Sequence, residues 1–348
     1  MRICIYGAGA IGGYLAAGLS TVEGVELSLV ARGPHLAAVQ KSGLRLVIDG
    51  EERVCKPRAT NDPAELPPQD YVIVCLKSHQ AWEAAEQMRP LLSERTVVVT
   101  GQNGIPWWYS FGLDRRFAGL RLASVDPGGR QWSVIGSERA IGCVVYPATE
   151  IASPGVIRHV YGDKFALGEP DGSRSDRCLR LSEVLCAAGF DAPVLDDIRS
   201  EIWLKLWGNL CFNPISALTR ATLDVVTTQS ELRALCVQMM TEAQEVAAQF
   251  GASFRVNIDK RINGAARVGA HRTSMLQDLE SGRPLEIDAL LTSVQEMGRH
   301  VGVATPYIDV VLGLIQQLGR SLRVYPTFAR AADPPRSSSH PSNPSLHA

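Results

Sequence analysis

Gly7-Ala8-Gly9-Ala10-Ile11-Gly12 lies directly after the apolar run Arg2–Tyr6 and opens a small-residue helical pattern that continues to about Ser20. Strand, tight turn and helix form the setting in which GxGxxG is informative as a dinucleotide-binding turn. Gly7 permits the turn, Gly9 removes a side chain that would bar a pyrophosphate from the backbone, and Gly12 lets the helix approach the sheet. The helix N-terminus offers unpaired N–H groups and the positive end of its dipole to the anion. The six residues from Gly7 through Ala8, Gly9, Ala10 and Ile11 to Gly12 are therefore cofactor-binding candidates.

The following strand bears on which cofactor this is. It ends Leu29-Val30-Ala31-Arg32, with no acid where an NAD site usually places Asp or Glu against the ribose hydroxyls. A guanidinium pairs with a 2′-phosphate through two hydrogen bonds, whereas a carboxylate repels it. Arg32 thus favours NADPH/NADP over NAD; without the preceding fingerprint it would read as a solvated surface cation.

Further strand-like runs at 71–76, 96–100, 141–146 and 156–160 are separated in several places by helix-length segments, the pattern of an α/β parallel sheet. The stretch 103–140 reads as a long loop with some local structure, and a helix is expected over 175–188. After Asp196 the pattern becomes almost wholly helical, over 198–218, 230–250, 270–280, 287–301 and 306–319. The expected architecture is an N-terminal Rossmann-type dinucleotide-binding domain, residues 1–195, followed by an all-helical substrate domain, residues 196–331. Residues 332–348, rich in Pro and Ser, are expected to form a disordered tail.

Composition narrows the partners. With 348 residues, 45% hydrophobic, 20% charged and a net charge of −1, the chain suits two cores and lacks the basic excess of a nucleic-acid binder. A small molecule is the expected partner, with no nucleic acid and no membrane, since no apolar stretch is long enough to span one. The glycine spacing argues against reading the N-terminus as a signal sequence. The eight scattered cysteines contain no CxxC pair and read as free thiols, which points to a reducing, cytoplasmic setting with no metal site.

Within 198–218, Lys205, Asn209 and Asn213 recur every four residues among Trp203, Leu204, Leu206, Trp207, Leu210 and Phe212. Side chains at that spacing form one stripe on a helix. A stripe of this kind in an otherwise apolar helix needs partners, because a buried amide or ammonium left unsatisfied is unfavourable. A ligand carboxylate and carbonyl would supply them, and so would an interhelical polar network. The helix taken alone does not choose.

Several motifs now fall into one order. Gly7 to Gly12, Arg32, Cys75-Leu76-Lys77, Gln102-Asn103-Gly104, Lys205/Asn209/Asn213-Pro214, Ser274-Met275-Leu276-Gln277-Asp278 and Glu286-Ile287-Asp288 resemble the ketopantoate reductase family in order and spacing across nearly the whole chain before the tail. The resemblance implies NADPH-dependent reduction of 2-dehydropantoate, a 2-oxo acid, to pantoate, a step in pantothenate and coenzyme A synthesis. It implies Lys205 as general acid, Glu286 beside it, Asn209 and Asn213 on substrate oxygens, and Ser274 on the substrate carboxylate. Lys77, Asn103 and Ala148 would line the cofactor channel, with Asn103 also reaching substrate. A homodimer is left open.

Two departures from the family pattern concern the substrate. Ile105-Pro106-Trp107-Trp108-Tyr109 replaces small or polar residues after the Asn-Gly motif, and Thr222-Leu223-Asp224 lacks an Asn often found there. Aromatic bulk near the nicotinamide would reshape the pocket, so a reductase of another, bulkier 2-oxo acid is the second reading, ahead of a non-catalytic NADP-binding sensor. The β-hydroxy acid dehydrogenases rank lower, because their glycine-rich lead-in is replaced by Arg199-Ser200-Glu201-Ile202-Trp203.

Overall fold

The structure is a computed structural model and describes residues 1–325; the expected tail lies outside the described residues. The chain runs β1 (Arg2–Tyr6), α1 (Ala10–Leu19), β2 (Glu26–Val30), α2 (Gly33–Ser42), β3 (Leu44–Ile48), β4 (Glu51–Cys55), β5 (Arg58–Thr60) and β6 (Tyr71–Val74). It continues with α3 (Ser78–Ala84), β7 (Val97–Thr100), α4 (Arg130–Ile135), β8 (Ala140–Val145), β9 (Ala148–Ser153), β10 (Val156–Tyr161), β11 (Phe165–Gly168) and α5 (Asp176–Ala187).

The main sheet has the order β11-β8-β7-β6-β1-β2-β5 and is parallel except at the β8–β11 edge. Its central strands are apolar on both faces, as a sheet covered on both sides requires; Ile3, Cys4 and Ile5 are fully buried. From β1 the chain crosses to β2 on one side and later returns to β6 on the other. Such a reversal opens a crevice at the C-terminal end of β1, where ligands bind in open α/β sheets.

One face of the sheet carries α1, which is itself covered by a second sheet of order β4-β3-β10-β9. That arrangement explains why α1 is small and apolar nearly all round: a Cβ at Gly13 would lie 2.6 Å from the Ile157 side chain. Of this second sheet only the run 156–160, now β10, was expected; its outer strands β4 and β9 are largely exposed and lack a clear alternating pattern.

The opposite face is covered by the helical half: α6 (Ile198–Thr219), α7 (Leu223–Thr228), α8 (Ser230–Gln249), α9 (Ile258–Ala266), α10 (Ser274–Glu280), a π-helical turn at Asp288–Thr292, α11 (Ser293–Val301) and α12 (Pro306–Ser321). Of these, α7 and α9 fall in segments where no helix was expected. The helix expected over 270–280 begins only at Ser274, because the Thr273 side chain caps it by accepting from the Leu276 amide. α6 is the axis of this half. Asp197 caps its start by accepting from the Ser200 amide, and it packs against α7, α8, α10 and α12 and across to β8.

Between α6 and the sheet lies an aromatic layer, and here the expectation for Trp107-Trp108-Tyr109 is corrected. All three are at most 4% exposed and sit in the core rather than lining an open pocket. The Trp108 indole donates to Thr100 at 2.7 Å, and the Trp203 indole donates to the Tyr109 hydroxyl at 2.6 Å. Arg199 spans the layer, donating to the carbonyls of Tyr109, Phe111 and Pro170. The physical reason is that segment 103–140 covers the sheet face where an ordinary doubly wound fold would place a helix, and large rings fill that volume.

Candidate functional site

At the C-terminal edge of the sheet, Gly7 adopts a φ of +101°, and a Cβ there would lie 2.8 Å from the Leu76 side chain. At Gly12 a Cβ would overlap the Gly7 carbonyl, whereas at Gly9 it would meet nothing within 4 Å. The turn is therefore closed toward the protein and open toward the crevice. Gly9 is the N-cap of α1 and gives no side-chain cap, so the first-turn amides at Ala10 and Ile11 have no intrahelical acceptor. Ala8 is buried against the fold. At the end of β2, Arg32 is exposed and its guanidinium has no hydrogen-bond or ion-pair partner among the described residues. An open glycine, free amides and an unpaired guanidinium fit a dinucleotide bearing an extra phosphate.

The same edge carries the loops after β6, β7 and β8, and α6 brings Lys205 to those after β7 and β8. The Lys205 ammonium donates to Asn103 Oδ1 at 2.7 Å and to the Val145 carbonyl, and lies 5.8 Å from the Tyr146 ring centre. Burial pulls its pKa from the ordinary 10.5 down to about 8, against the opposing pull of the Cys143 thiol and Glu286. Glu286 moves the other way. Burial raises its carboxyl above the usual range, while Lys77, the Ser78 amide and Asn103 favour the ionised form and Asp278 opposes it. An acid and a base pushed toward one another in a cleft are the electrostatics of proton transfer near neutral pH.

One turn further along α6 is Asn209, half-buried, and beyond it Asn213 donates to Ser274 Oγ at 3.4 Å. Lys77 Nζ is 2.5 Å from Asp278 Oδ2 and donates to the Pro284 carbonyl at 2.8 Å, so it ties the loop after β6 to the helical half. Lys205, Asn103, Glu286 and Lys77 thus form one cluster, and Asn213 with Ser274 a second patch further along α6. Arg32, at the end of β2, acts on His79 together with Lys77 and Asp278, and Ala148 begins β9, paired with Tyr161 and three residues beyond the Val145 carbonyl.

Reasoning from sequence missed three participants. The Val145 carbonyl is invisible in a sequence because every residue has one. Tyr146 donates to Glu201, a buried carboxylate that also pairs with Arg255, and nothing in the local pattern links these three. Arg261 on α9 was passed over because no helix was expected there. A groove of about 570 Å³ between α8 and the Phe254 to Asp259 segment shares no lining residue with the Lys205 cluster. Among the described residues no group of three or more His, Cys, Asp or Glu is placed to hold a metal ion. Nor, among them, is any helix long and apolar enough to cross a membrane.

The model for ketopantoate reductase PanE/ApbA matches residues 3–172, and that for its C-terminal part matches residues 197–319. A 2-dehydropantoate 2-reductase of Mesorhizobium japonicum is 55% identical over 91% of this chain and 98% of its own length. The crystal structure of a PanE/ApbA family ketopantoate reductase from Ralstonia eutropha JMP134 superposes with a TM-score of 0.80 at 26% identity, covering 93% of this chain and 100% of that one. D-mandelate dehydrogenase with NADH and anilino(oxo)acetate shares the fold, with a TM-score of 0.80 at 21% identity and coverage of 93% and 100%.

Proposed function

The chain belongs to the ketopantoate reductase family, and on that premise we propose that it reduces 2-dehydropantoate to pantoate with NADPH, Lys205 acting as the general acid. The observation that carries this reading is the Lys205 ammonium, held by Asn103 and the Val145 carbonyl at the ends of β7 and β8 with its pKa lowered to about 8. Bound NADPH would supply the hydride. As negative charge builds on the substrate carbonyl oxygen, an ammonium within hydrogen-bonding distance stabilises that charge and then gives up a proton. Asn103 aims Lys205, and Glu286, whose carboxyl is raised by burial, is suited to pass a proton back to the amine.

Asn209, Asn213 and Ser274 hold substrate oxygens in this scheme, while Lys77 and Ala148 border the cofactor. Gly7 to Gly12 receive the pyrophosphate and Arg32 the 2′-phosphate. A division into residues 1–195 and 196–331 accompanies it, as does a cytoplasmic site of action in pantothenate and coenzyme A synthesis.

The test is NADPH oxidation by the purified protein against 2-dehydropantoate and a panel of branched and aromatic 2-oxo acids, repeated with NADH. The expected outcome is fastest turnover on 2-dehydropantoate with NADPH. Arg32→Ala should raise the NADPH KM roughly ten-fold or more, the effect of about 1.5 to 3 kcal/mol for a lost charge-assisted contact. Equal use of NADH by the native protein would sink the assignment of Arg32, and faster turnover of a bulkier 2-oxo acid would reassign the substrate.

A further inference from the structure

Arg261, on α9, is a guanidinium without a hydrogen-bond or ion-pair partner among the described residues. It lies over the Phe212 ring, 5.6 Å from its centre, and occupies the position where a Cβ on residue 208 would stand. Gly208 is the one glycine of the 22-residue helix α6, and a mid-helix glycine is unfavourable relative to alanine. Its presence is explained if the space above it is needed. Gly208 and Phe212 flank the face that carries Lys205 and Asn209, so Arg261 runs alongside the polar stripe.

The titratable groups that raise the pKa of Arg261 are the Cys211 thiol and the hydroxyls of Tyr146 and Tyr161, and burial outweighs them. Tyr146 follows β8 and Tyr161 ends β10, so the guanidinium faces the sheet half across the cleft. An arginine this sheltered and unpaired lacks the compensating anion that such a charge requires.

We propose that Arg261 is the counter-ion for the carboxylate of the substrate, a specificity-determining residue beside the general acid. The inference rests on the reading that this cleft reduces a 2-oxo acid. Cofactor phosphates belong at Gly9 and Arg32, on β1 and β2, whereas Arg261 stands opposite the end of β8, three strands from β1 in the sheet order. Lys205 is committed to the carbonyl oxygen, and Ser274, Asn209 and Asn213 are neutral. Without Arg261 the negative charge of a 2-oxo acid would enter a sheltered cleft with no cation of its own.

The experiment compares one 2-oxo acid with its uncharged methyl ester in the native protein and in Arg261→Met, which keeps the packing on Phe212. The expected result is a KM for the acid raised roughly ten- to hundred-fold, the ester little changed, and NADPH affinity and thermal midpoint preserved. Arg261→Lys should fall between, because a point charge replaces a fork. Gly208→Ala should push the guanidinium aside and raise the acid's KM in the native background, yet add nothing to Arg261→Met. Unchanged acid-over-ester preference in Arg261→Met, or equal loss on both substrates, would overturn the proposal. A native protein that binds NADPH but reduces no 2-oxo acid would instead overturn the underlying reading, before any variant is made.

Discussion

An ammonium whose hydrogen-bond partners are both neutral acceptors titrates according to its burial, and Lys205 has Asn103 Oδ1 and the Val145 carbonyl for partners. Its pKa is depressed to about 8, so the proton-bearing form that the proposed general acid needs prevails below that pH and is lost above it. Turnover in the reducing direction should therefore fall about ten-fold per pH unit above about 8, while the reverse oxidation, which needs the free amine, rises through the same range. Lys205→Ala should lower kcat by about 10² to 10⁴ and leave NADPH binding intact. Its thermal midpoint should not fall at pH 7, because a buried cation is removed. A pH profile of reduction that stays flat from about 7 to about 10 in the native protein, or native turnover in Lys205→Ala, would remove Lys205 from the proton-donor role.

At the level of elements, the loop after β7 is fixed by the π-helical turn at Asp288–Thr292. A π turn leaves a carbonyl free to turn outward, and Ala289 uses its carbonyl to accept from the Ile105 amide at 3.0 Å. Gly104, with a φ of +87°, lets the loop approach, since a Cβ there would overlap the same carbonyl. Gly104→Ala should destabilise the protein by at least about 2 kcal/mol and lower kcat with it, because Asn103 loses its aim at Lys205. Thermal melts and steady-state kinetics check this, and a variant with native midpoint and kcat would refute the coupling. Asn103 entered only through the family resemblance, whereas the Lys205 stripe was legible in the sequence because a four-residue period writes a helix face directly. The π turn was not, since its local pattern is that of an ordinary helix, and the buried role of Trp107 and Trp108 was hidden because large rings serve a pocket wall and a core layer equally well. The strand, tight turn and helix around Gly7 to Gly12 and the parallel alternation were read correctly. The second sheet was missed because it pairs segments about a hundred residues apart.

Across the whole molecule, the ion pair between Lys77 and Asp278 joins the sheet half to the helical half at the rim of the cleft. Its side chains are 28% and 14% exposed, so screening is partial and the pair should contribute on the order of 1 kcal/mol. Asp278→Asn should lower the thermal midpoint by a few degrees, an effect measurable by calorimetry; an unchanged midpoint would mean that the Lys77 bond to the Pro284 carbonyl holds the rim without it. The parallel pairing of β3 with β10 also governs the order in which the chain can be built. As it emerges during synthesis, the β3–β4 hairpin must wait until the chain has been extended past Tyr161 for its partner strand, leaving α1 without its outer cover meanwhile. Contacts of such long sequence separation slow folding and prolong exposure of apolar surface. The glycine turn is thus made well before its scaffold is finished, so a nascent chain interrupted before residue 161 would carry the complete glycine fingerprint without the layer that holds its helix in place.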